Sequence, residues 1–286
     1  MLEIIKAIIY GIVEGITEWL PISSTGHLIL VEKWLPFKGV SKDFFDMFDV
    51  VIQLGAIMAV VVLFWKKIWP FALTKKEQEE NEGSLPWVKM DIMTMWFKIM
   101  VACIPAILIV IFDKDDTLER LFYNPVCISI ALIVFGIAFI VIESWNKGRK
   151  PRVISMAELS FLAAIVIGFF QMIAAIFPGT SRSGATIVGA LLIGVSRKVA
   201  AEFTFFMAIP VMAGASLLKI VKFGFNYSGL EIAILLTGVV VSFLISLFIL
   251  RFLMNYIKKH DFTVFGWYRI ALGIIVLAYY AIFELN

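Results

Sequence analysis

The sequence predicts an all-α polytopic membrane protein with six transmembrane helices plus two re-entrant helical hairpins in an inverted-topology repeat. Three observations lead there. The chain of 286 residues is 61% hydrophobic and 16% charged, with a mean hydropathy of +0.96. Apolar runs long enough to cross a bilayer recur along it, and two similar proline-broken segments interrupt that pattern. The small net charge of +3, without a basic tract, gives no reason to expect a nucleic-acid partner.

The spanning segments are predicted from the apolar runs, each of which can cross a hydrocarbon core of roughly 30 Å at about 1.5 Å per residue. They are residues 47–65, 91–112, 122–143, 199–220, 230–250 and 262–283. We expect no cleavable signal peptide, because Glu14 and Glu18 interrupt the first apolar stretch and no small-residue cleavage site follows it.

Loop charge predicts the orientation. Lysine and arginine cluster in 144–156, in 251–261 with Arg251 as its first residue, and after residue 65, so these loops are predicted to be cytoplasmic. The loop 113–120 is mostly acidic, with Asp115 and Asp116 among its residues, and is predicted to lie outside. Both termini then lie outside. The polar segment 75–91, which contains Gly83, is expected to be a surface excursion.

Two segments of the chain resemble each other. At an offset of 157 residues the aligned pairs are Gly11 and Gly168, Glu14 and Gln171, Pro21 and Pro178, and Ser24 and Ser181. Each copy reads as a helix broken at proline, with helices at 4–20 and 22–35 and again at 157–177 and 184–195. Three spans, an odd number, separate the prolines, so the copies are predicted to be inverted and to build a polar site at mid-membrane.

This pattern divides a single membrane domain, 1–286, into repeat 1 (about 1–143) and repeat 2 (about 157–286). Ionisable groups at membrane depth are costly, so the polar residues of the two broken segments are the functional candidates.

Glu14 and Glu18 are one helical turn apart, so their carboxylates project from one face. Two such carboxylates stay ionised in an apolar setting only beside a cation, and a divalent cation, Mg²⁺ or Ca²⁺, is the natural occupant. The alternative is that one of them is protonated or pairs with an arginine of the second repeat.

The residues after Pro21 supply hydroxyl groups at a helix start, where free N–H groups attract phosphate. Ser23 and Thr25 are candidate phosphate ligands, and Ser24 is the candidate nucleophile or the group that orients an attacking water. His27 is the candidate for proton transfer. The alternative is simple helix capping with a packed histidine.

The residues after Pro178 indicate phosphate binding more specifically than those after Pro21. Gly179 frees the backbone, and Arg182 offers a planar fork for phosphate oxygens. The remaining phosphate-binding candidates are Gln171, Ser181, Ser183 and Thr186. The alternative role for Arg182 is charge pairing with Glu14 or Glu18. Four further polar residues near or inside spans have either a structural or a functional reading: Asp49, Gln53, Glu202 and Arg269.

At these motifs the chain resembles the bacitracin-resistance family of undecaprenyl-diphosphate phosphatases. The shared motifs are ExxxE (Glu14 to Glu18), PxSSTGH (Pro21 to His27) and PGxSRSxxT (Pro178 to Thr186), and the likeness extends over essentially the whole chain. Asp49 departs from the glutamate that is common in the family.

The resemblance implies a hydrolase of the bacterial plasma (inner) membrane. It would convert undecaprenyl diphosphate, a polyprenyl diphosphate lipid, to the monophosphate carrier used for peptidoglycan, and would confer bacitracin resistance. It also implies the inverted-repeat fold and a site that opens to the outer face.

Two other functions fit parts of the pattern. A transporter or flippase of the polyprenyl phosphate carrier would use inverted repeats and the same anion-binding groups. The type-2 phosphatidic acid phosphatases need a histidine after the arginine, and none lies between Arg182 and His260, so that class is rejected. The sequence leaves the oligomeric state open, with a homodimer among the options, and does not separate water attack from a covalent intermediate.

Overall fold

The computed structural model describes residues 1–79, 85–113 and 117–283. Within those residues the chain is helical, with two isolated β-bridges, Phe71 to Val88 and Val153 to Val195. The helices are α1 Leu2–Thr17, α2 Ser24–Trp34, α3 Lys42–Val51, α4 Gln53–Leu63, α5 Trp65–Ile68, α6 Lys75–Glu79, α7 Met90–Phe112, α8 Thr117–Phe122, α9 Pro125–Asn146, α10 Phe161–Ile176, α11 Arg182–Leu192, α12 Arg197–Phe223, α13 Gly229–Tyr256 and α14 Thr263–Phe283.

The six predicted spans are confirmed, which makes this a multi-pass membrane protein. In the described residues six helical segments are long and apolar enough to cross a membrane: Lys42–Leu63 (α3 with α4), Met90–Phe112, Pro125–Asn146, Arg197–Phe223, Gly229–Tyr256 and Thr263–Ile282. Two boundaries differ from the prediction by more than three residues. The first span begins earlier because Ser41 caps it by accepting from the amide of Phe44 at 3.1 Å.

The fifth span ends later than predicted, at Tyr256. The expectation that Arg251 belongs to the loop 251–261 was therefore wrong. Its neighbours Leu250 and Leu253 are fully buried, so the apolar face of α13 continues past the arginine and keeps the chain helical. Gly83, Asp115 and Asp116, on which two other loop predictions depend, lie outside the described residues.

Both proline-broken segments consist of two short helices joined by a turn. The first turn joins α1 to α2 and the second joins α10 to α11. The breaks thus lie where Pro21 and Pro178 predicted them. That these hairpins re-enter the membrane, and that the halves about 1–143 and about 157–286 are inverted, stay predictions.

The two halves pack on each other reciprocally. Helix α1 runs along α13 and α10 runs along α7, while α9 pairs with α14 and α4 with α12. Glycine allows the close approach: a Cβ on Gly11 would lie 2.7 Å from the carbonyl oxygen of Gly238, and one on Gly168 would collide with the backbone of Ala102. Gly11 and Gly168 are aligned in the repeat, so the likeness there reflects helix packing. This packing brings the two turns together in the interior.

Candidate active site

The same strained turn begins α2 and α11. Ser23 (φ 74°) and Ser181 (φ 67°) are the non-glycine residues with positive φ in the described part of the chain. The hydroxyl of Ser23 accepts from the amide of Gly26 at 3.3 Å, and that of Ser181 accepts from the amide of Gly184 at 3.1 Å. A left-handed conformation costs a non-glycine residue about 1–2 kcal/mol. Such strain is often kept where function needs the geometry.

This geometry corrects the register of the repeat. The sequence alignment paired Ser24 with Ser181, but the equivalent caps are Ser23 and Ser181. Gly179, at φ 89°, is the additional residue between Pro178 and its cap. Ser24 therefore occupies the position equivalent to Arg182, the first residue of each helix, so one turn offers a hydroxyl where the other offers a guanidinium.

Glu18 joins the two turns. Its Oε1 accepts from Nη2 of Arg182 at 2.6 Å, and its Oε2 accepts from the hydroxyl of Ser24 at 3.0 Å. The hydroxyl of Ser183 also donates to the backbone oxygen of Glu18 at 3.1 Å. The pairing of Arg182 with a glutamate, which was the alternative to its phosphate-binding role, is thus present, and a candidate nucleophile shares the same carboxylate.

Several buried polar atoms around this cluster have no hydrogen-bond partner. They are both carboxylate oxygens of Glu14, both amide atoms of Gln171, the hydroxyl of Thr180 and Nη1 of Arg182. Burying such atoms without partners costs free energy, so each calls for an explanation. Glu14 and Gln171 occupy aligned positions in the repeat, so both halves present an unpartnered group beside the turns. A phosphate-bearing ligand with a cation would satisfy donors and acceptors together.

His27 faces away from Ser24. Its Nδ1 lies 2.7 Å from the carbonyl oxygen of Ser23 and must carry the proton, because a carbonyl only accepts. Its Nε2 lies 2.7 Å from the hydroxyl of Tyr268, and the two rings are stacked. Among the hydrogen bonds of the described residues none joins His27 to Ser24. The serine–histidine pair considered from the sequence is not formed, and Tyr268 is a residue that the motifs did not reveal.

The remaining candidate residues differ in whether their hydroxyl groups are available to a ligand. Ser181 and Ser183 form a hydroxyl pair at 3.2 Å, and Thr25, half-buried, is the second residue of α2. Thr186 is fully buried; its hydroxyl lies 2.9 Å from the Thr204 hydroxyl and also donates to the backbone of its own helix. The hydroxyl of Thr186 is therefore occupied by helix packing, whereas the serines and Thr25 lie at the helix starts.

Arg269 holds both turns from a third element. This fully buried arginine of α14 donates to the carbonyl oxygens of Pro21 at 3.3 Å, Gly179 at 3.0 Å and Thr180 at 2.6 Å. The turns leave these carbonyls without helical partners, and the guanidinium satisfies them. A single arginine inside an apolar span is the sequence feature that marks this residue as important. Its partners could not be predicted from the sequence, because they lie far away along the chain.

The other ambiguous residues are placed as follows. Glu202 forms an ion pair with Lys67 at 2.7 Å, which gives it a structural role. Gln53 begins α4. Asp49 has a buried oxygen without a partner and interacts electrostatically with Glu14, so it extends the acidic side of the cluster.

The residues present fit a divalent cation held jointly with substrate. The described residues contain no group of three or more histidine, cysteine, aspartate or glutamate side chains arranged to hold a metal. Glu14, however, presents two unpartnered buried oxygens one turn from Glu18. Mg²⁺ is commonly bound through one or two carboxylates plus substrate phosphates and water, and this donor set supplies that protein share.

Comparisons with known proteins show what this chain is similar to. The family model described as Bacitracin resistance protein BacA matches residues 7–275. A protein of Desulfitobacterium hafniense named undecaprenyl-diphosphatase is 58% identical over 281 residues, covering 98% of this chain and 97% of its own. Proteins with the same name from Enterococcus faecalis and Streptococcus thermophilus are 54% and 52% identical, covering 98% and 99% of this chain and 98% and 95% of their own. The chain belongs to the bacitracin resistance protein BacA family.

Proposed function

We propose that this chain is a membrane phosphatase that hydrolyses undecaprenyl diphosphate to undecaprenyl phosphate and inorganic phosphate. The observation that carries the proposal is the cluster at the two turns, where Arg182 and Ser24 share Glu18 and Nη1 of Arg182 is buried without a partner. The names of the relatives support the same substrate. Recycling of this lipid carrier would serve peptidoglycan synthesis and underlie bacitracin resistance.

Substrate binding would use the helix starts. The first amides of α2 and α11 have no helical acceptors, and a helix N-terminus attracts anions. Arg182 supplies its free Nη1 to a phosphate oxygen, and Thr25 supplies its hydroxyl. Ser181 and Ser183 would donate to phosphate after giving up their mutual contact and the bond from Ser183 to the backbone of Glu18. Gln171, whose amide has no partner, adds a neutral donor.

The chemical step would be transfer of the terminal phosphoryl group to an oxygen nucleophile. The P–O bond to the bridging oxygen breaks, and undecaprenyl phosphate leaves with that oxygen. Glu18 is placed to accept a proton from the Ser24 hydroxyl at 3.0 Å. If Ser24 attacks, water later hydrolyses the phosphoserine; if water attacks directly, Ser24 and Glu18 orient it. In both routes Arg182 stabilises the charge on the transferred group.

Glu14 and Glu18 would hold a divalent cation, Mg²⁺ or Ca²⁺, which offsets the diphosphate charge when bound. His27 would hold the Ser23 turn through Nδ1 and exchange a proton with Tyr268 through Nε2. Arg269 is a positioning residue, since it contacts the backbone of both turns and none of the reacting groups.

The location we propose is the bacterial plasma membrane, with the site open to its outer face. The basic loops support this, because they place the first hairpin on the side opposite the cytoplasm. A homodimer is also part of the proposal; a single chain provides no contact between copies that would support or oppose it.

The test is phosphate release from undecaprenyl diphosphate by the purified protein, with and without a chelator. We expect release that stops on chelation and returns with Mg²⁺ or Ca²⁺. Glu14→Gln and Glu18→Gln should each abolish release while leaving the protein folded. Chelator-insensitive release would contradict the cation, and no release from the parent would contradict the phosphatase.

One observation favours a second candidate, transport of the carrier lipid. The reciprocal packing of the halves, α1 on α13 and α10 on α7, is also how transporters are built around a central site. The phosphate assay separates the two, because a pure transporter releases no phosphate from the diphosphate.

A further inference from the structure

A cavity of about 510 Å³ lies away from the turns, where the ends of α9 and α11 meet the start of α12. Helix α11 runs from Arg182 of the candidate site to Leu192 of this cavity, so roughly 15 Å of helix separates the two. The proposed mechanism does not use it.

The cavity wall is strongly basic. Five cations line it: Arg149, Lys150, Arg152, Arg197 and Lys198. The acid among its lining residues is Glu143, which is buried and already occupied. It binds Nε of Arg197 at 2.9 Å and accepts from the amide of Phe262 at 3.0 Å.

Four positive charges therefore stay uncompensated at one concave surface. In the described part of the chain Arg149, Lys150, Arg152 and Lys198 have no recorded ion pair, and Arg149 packs over the ring of Trp145 at 4.8 Å. Like charges held together repel, so an anion at this surface would be stabilising.

The wall is held in place by the backbone. The amide of Arg152 donates to the carbonyl oxygen of Gly194 at 2.8 Å, and the amide of Ser196 donates to that of Val153 at 2.9 Å. The Asn146 side chain donates to the carbonyl oxygen of Leu191 at 3.1 Å. The loop that carries the cations is thus fixed to the end of α11, and the site is built before any ligand arrives.

The position of the cavity indicates which class of ligand it binds. It lies at the ends of two spans, α9 and α12, beside apolar side chains that are well exposed, Trp145, Ile154 and Leu192. Exposed apolar groups next to cations at a span end match the boundary between acyl chains and headgroups. The loop charge places this end in the cytoplasmic leaflet. We propose that the cavity binds the phosphate-bearing headgroup of an anionic phospholipid of that leaflet.

The experiment titrates the purified protein in detergent with phosphatidylglycerol or phosphatidylcholine and follows thermal unfolding and lipid retention by native mass spectrometry. The test variant is Arg152→Gln with Lys198→Gln. The matched control is Lys66→Gln with Lys75→Gln, two exposed cations of the short helices α5 and α6, in a segment of predicted cytoplasmic location outside the cavity.

Phosphatidylglycerol should raise the unfolding temperature of the parent and of the control, and phosphatidylcholine should not. The test variant should bind phosphatidylglycerol about tenfold more weakly, because each cation at a membrane surface attracts anionic headgroups. Arg152→Lys with Lys198→Arg should restore binding, which shows that the loss is not misfolding.

Three results would overturn the proposal. Equal weakening in the control would mean diffuse attraction to charge, and unchanged binding in the test variant would mean that the cavity is not the site. Inorganic phosphate that displaces the lipid and stabilises the protein to the same extent would assign the cavity to free phosphate.

Discussion

Arg182 is half-buried and Arg269 is fully buried, and their guanidinium groups serve different purposes. Arg182 gives one nitrogen to Glu18 and keeps another unpartnered beside the turns. Arg269 gives both terminal nitrogens to three backbone carbonyls and leaves only Nε without a partner. A guanidinium with an unpartnered terminal nitrogen can receive a ligand, whereas one whose two terminal nitrogens both bind carbonyls fixes a shape. The two arginines should therefore respond differently to substitution.

Arg182 provides the first prediction. Arg182→Lys keeps the charge but loses the planar fork, so turnover should fall strongly. Arg182→Ala should lower turnover by roughly 10³-fold or more, as for other arginine contacts to a transferred phosphoryl group. Steady-state phosphate release and thermal unfolding are measured for both. Normal turnover of the lysine variant, with lost stability of the alanine variant, would leave Arg182 only a role in neutralising Glu18.

Tyr268 provides the second. Tyr268→Phe removes the hydroxyl that lies 2.7 Å from Nε2 of His27 but keeps the stacked ring. We expect turnover to fall about three- to tenfold, the size of one hydrogen bond. The same change in a His27→Ala background should have no further effect, because the partner is gone. Additive losses in the double variant would mean that Tyr268 acts independently of His27.

At the scale of elements, the paired glycines explain how two broken helices reach one site. Gly11 allows α1 to lie against α13, and Gly168 allows α10 to lie against α7. Each broken helix is thereby supported by a span of the other half. A side chain at either position would push a turn away from its partner.

Gly168→Ala tests this support. Its Cβ would collide with the carbonyl oxygen of Ala102, and overpacking of this kind costs about 1–3 kcal/mol of stability. Gly214→Ala is the matched control, since its Cβ meets no atom within 4 Å and helix propensity favours alanine over glycine by about 1 kcal/mol. Thermal unfolding should fall for the first variant and stay level or rise for the second. Equal behaviour of the two would remove the packing argument.

At the scale of the whole molecule, the sequence predicted the six spans because apolar length is a local property. It predicted the two turns because Pro21 and Pro178 are each followed by hydroxyl residues that can start a new helix, whereas Pro105 and Pro210 lie inside α7 and α12. The one-residue shift between Ser23 and Ser24 was missed, because a cap is defined by dihedral angles that an alignment does not contain. The partners of His27 and Arg269 were missed because they are set by packing between helices about 90 to 250 positions apart.

The orientation of the chain in the membrane is a prediction about the whole molecule. In a background with Cys103→Ala and Cys127→Ser, single cysteines replace Lys147, Asn226 and Lys259. The charge pattern predicts that those at 147 and 259 react only with reagents that reach the cytoplasm, and that the one at 226 reacts from outside. Labelling of position 147 by an impermeant reagent in intact cells would contradict the proposed topology and the outward-facing site.

The contacts of Arg269 have a consequence for biosynthesis. A ribosome delivers α14 after both turns, yet this helix carries the guanidinium that satisfies the carbonyls of Pro21, Gly179 and Thr180. Until that helix arrives, Glu18, Ser24 and Arg182 are already in the membrane, but the carbonyls of both turns lack their partner. A nascent chain would then fix the shape of its turns only once α14 has inserted. Phosphate release would thus report that α14 has taken its place.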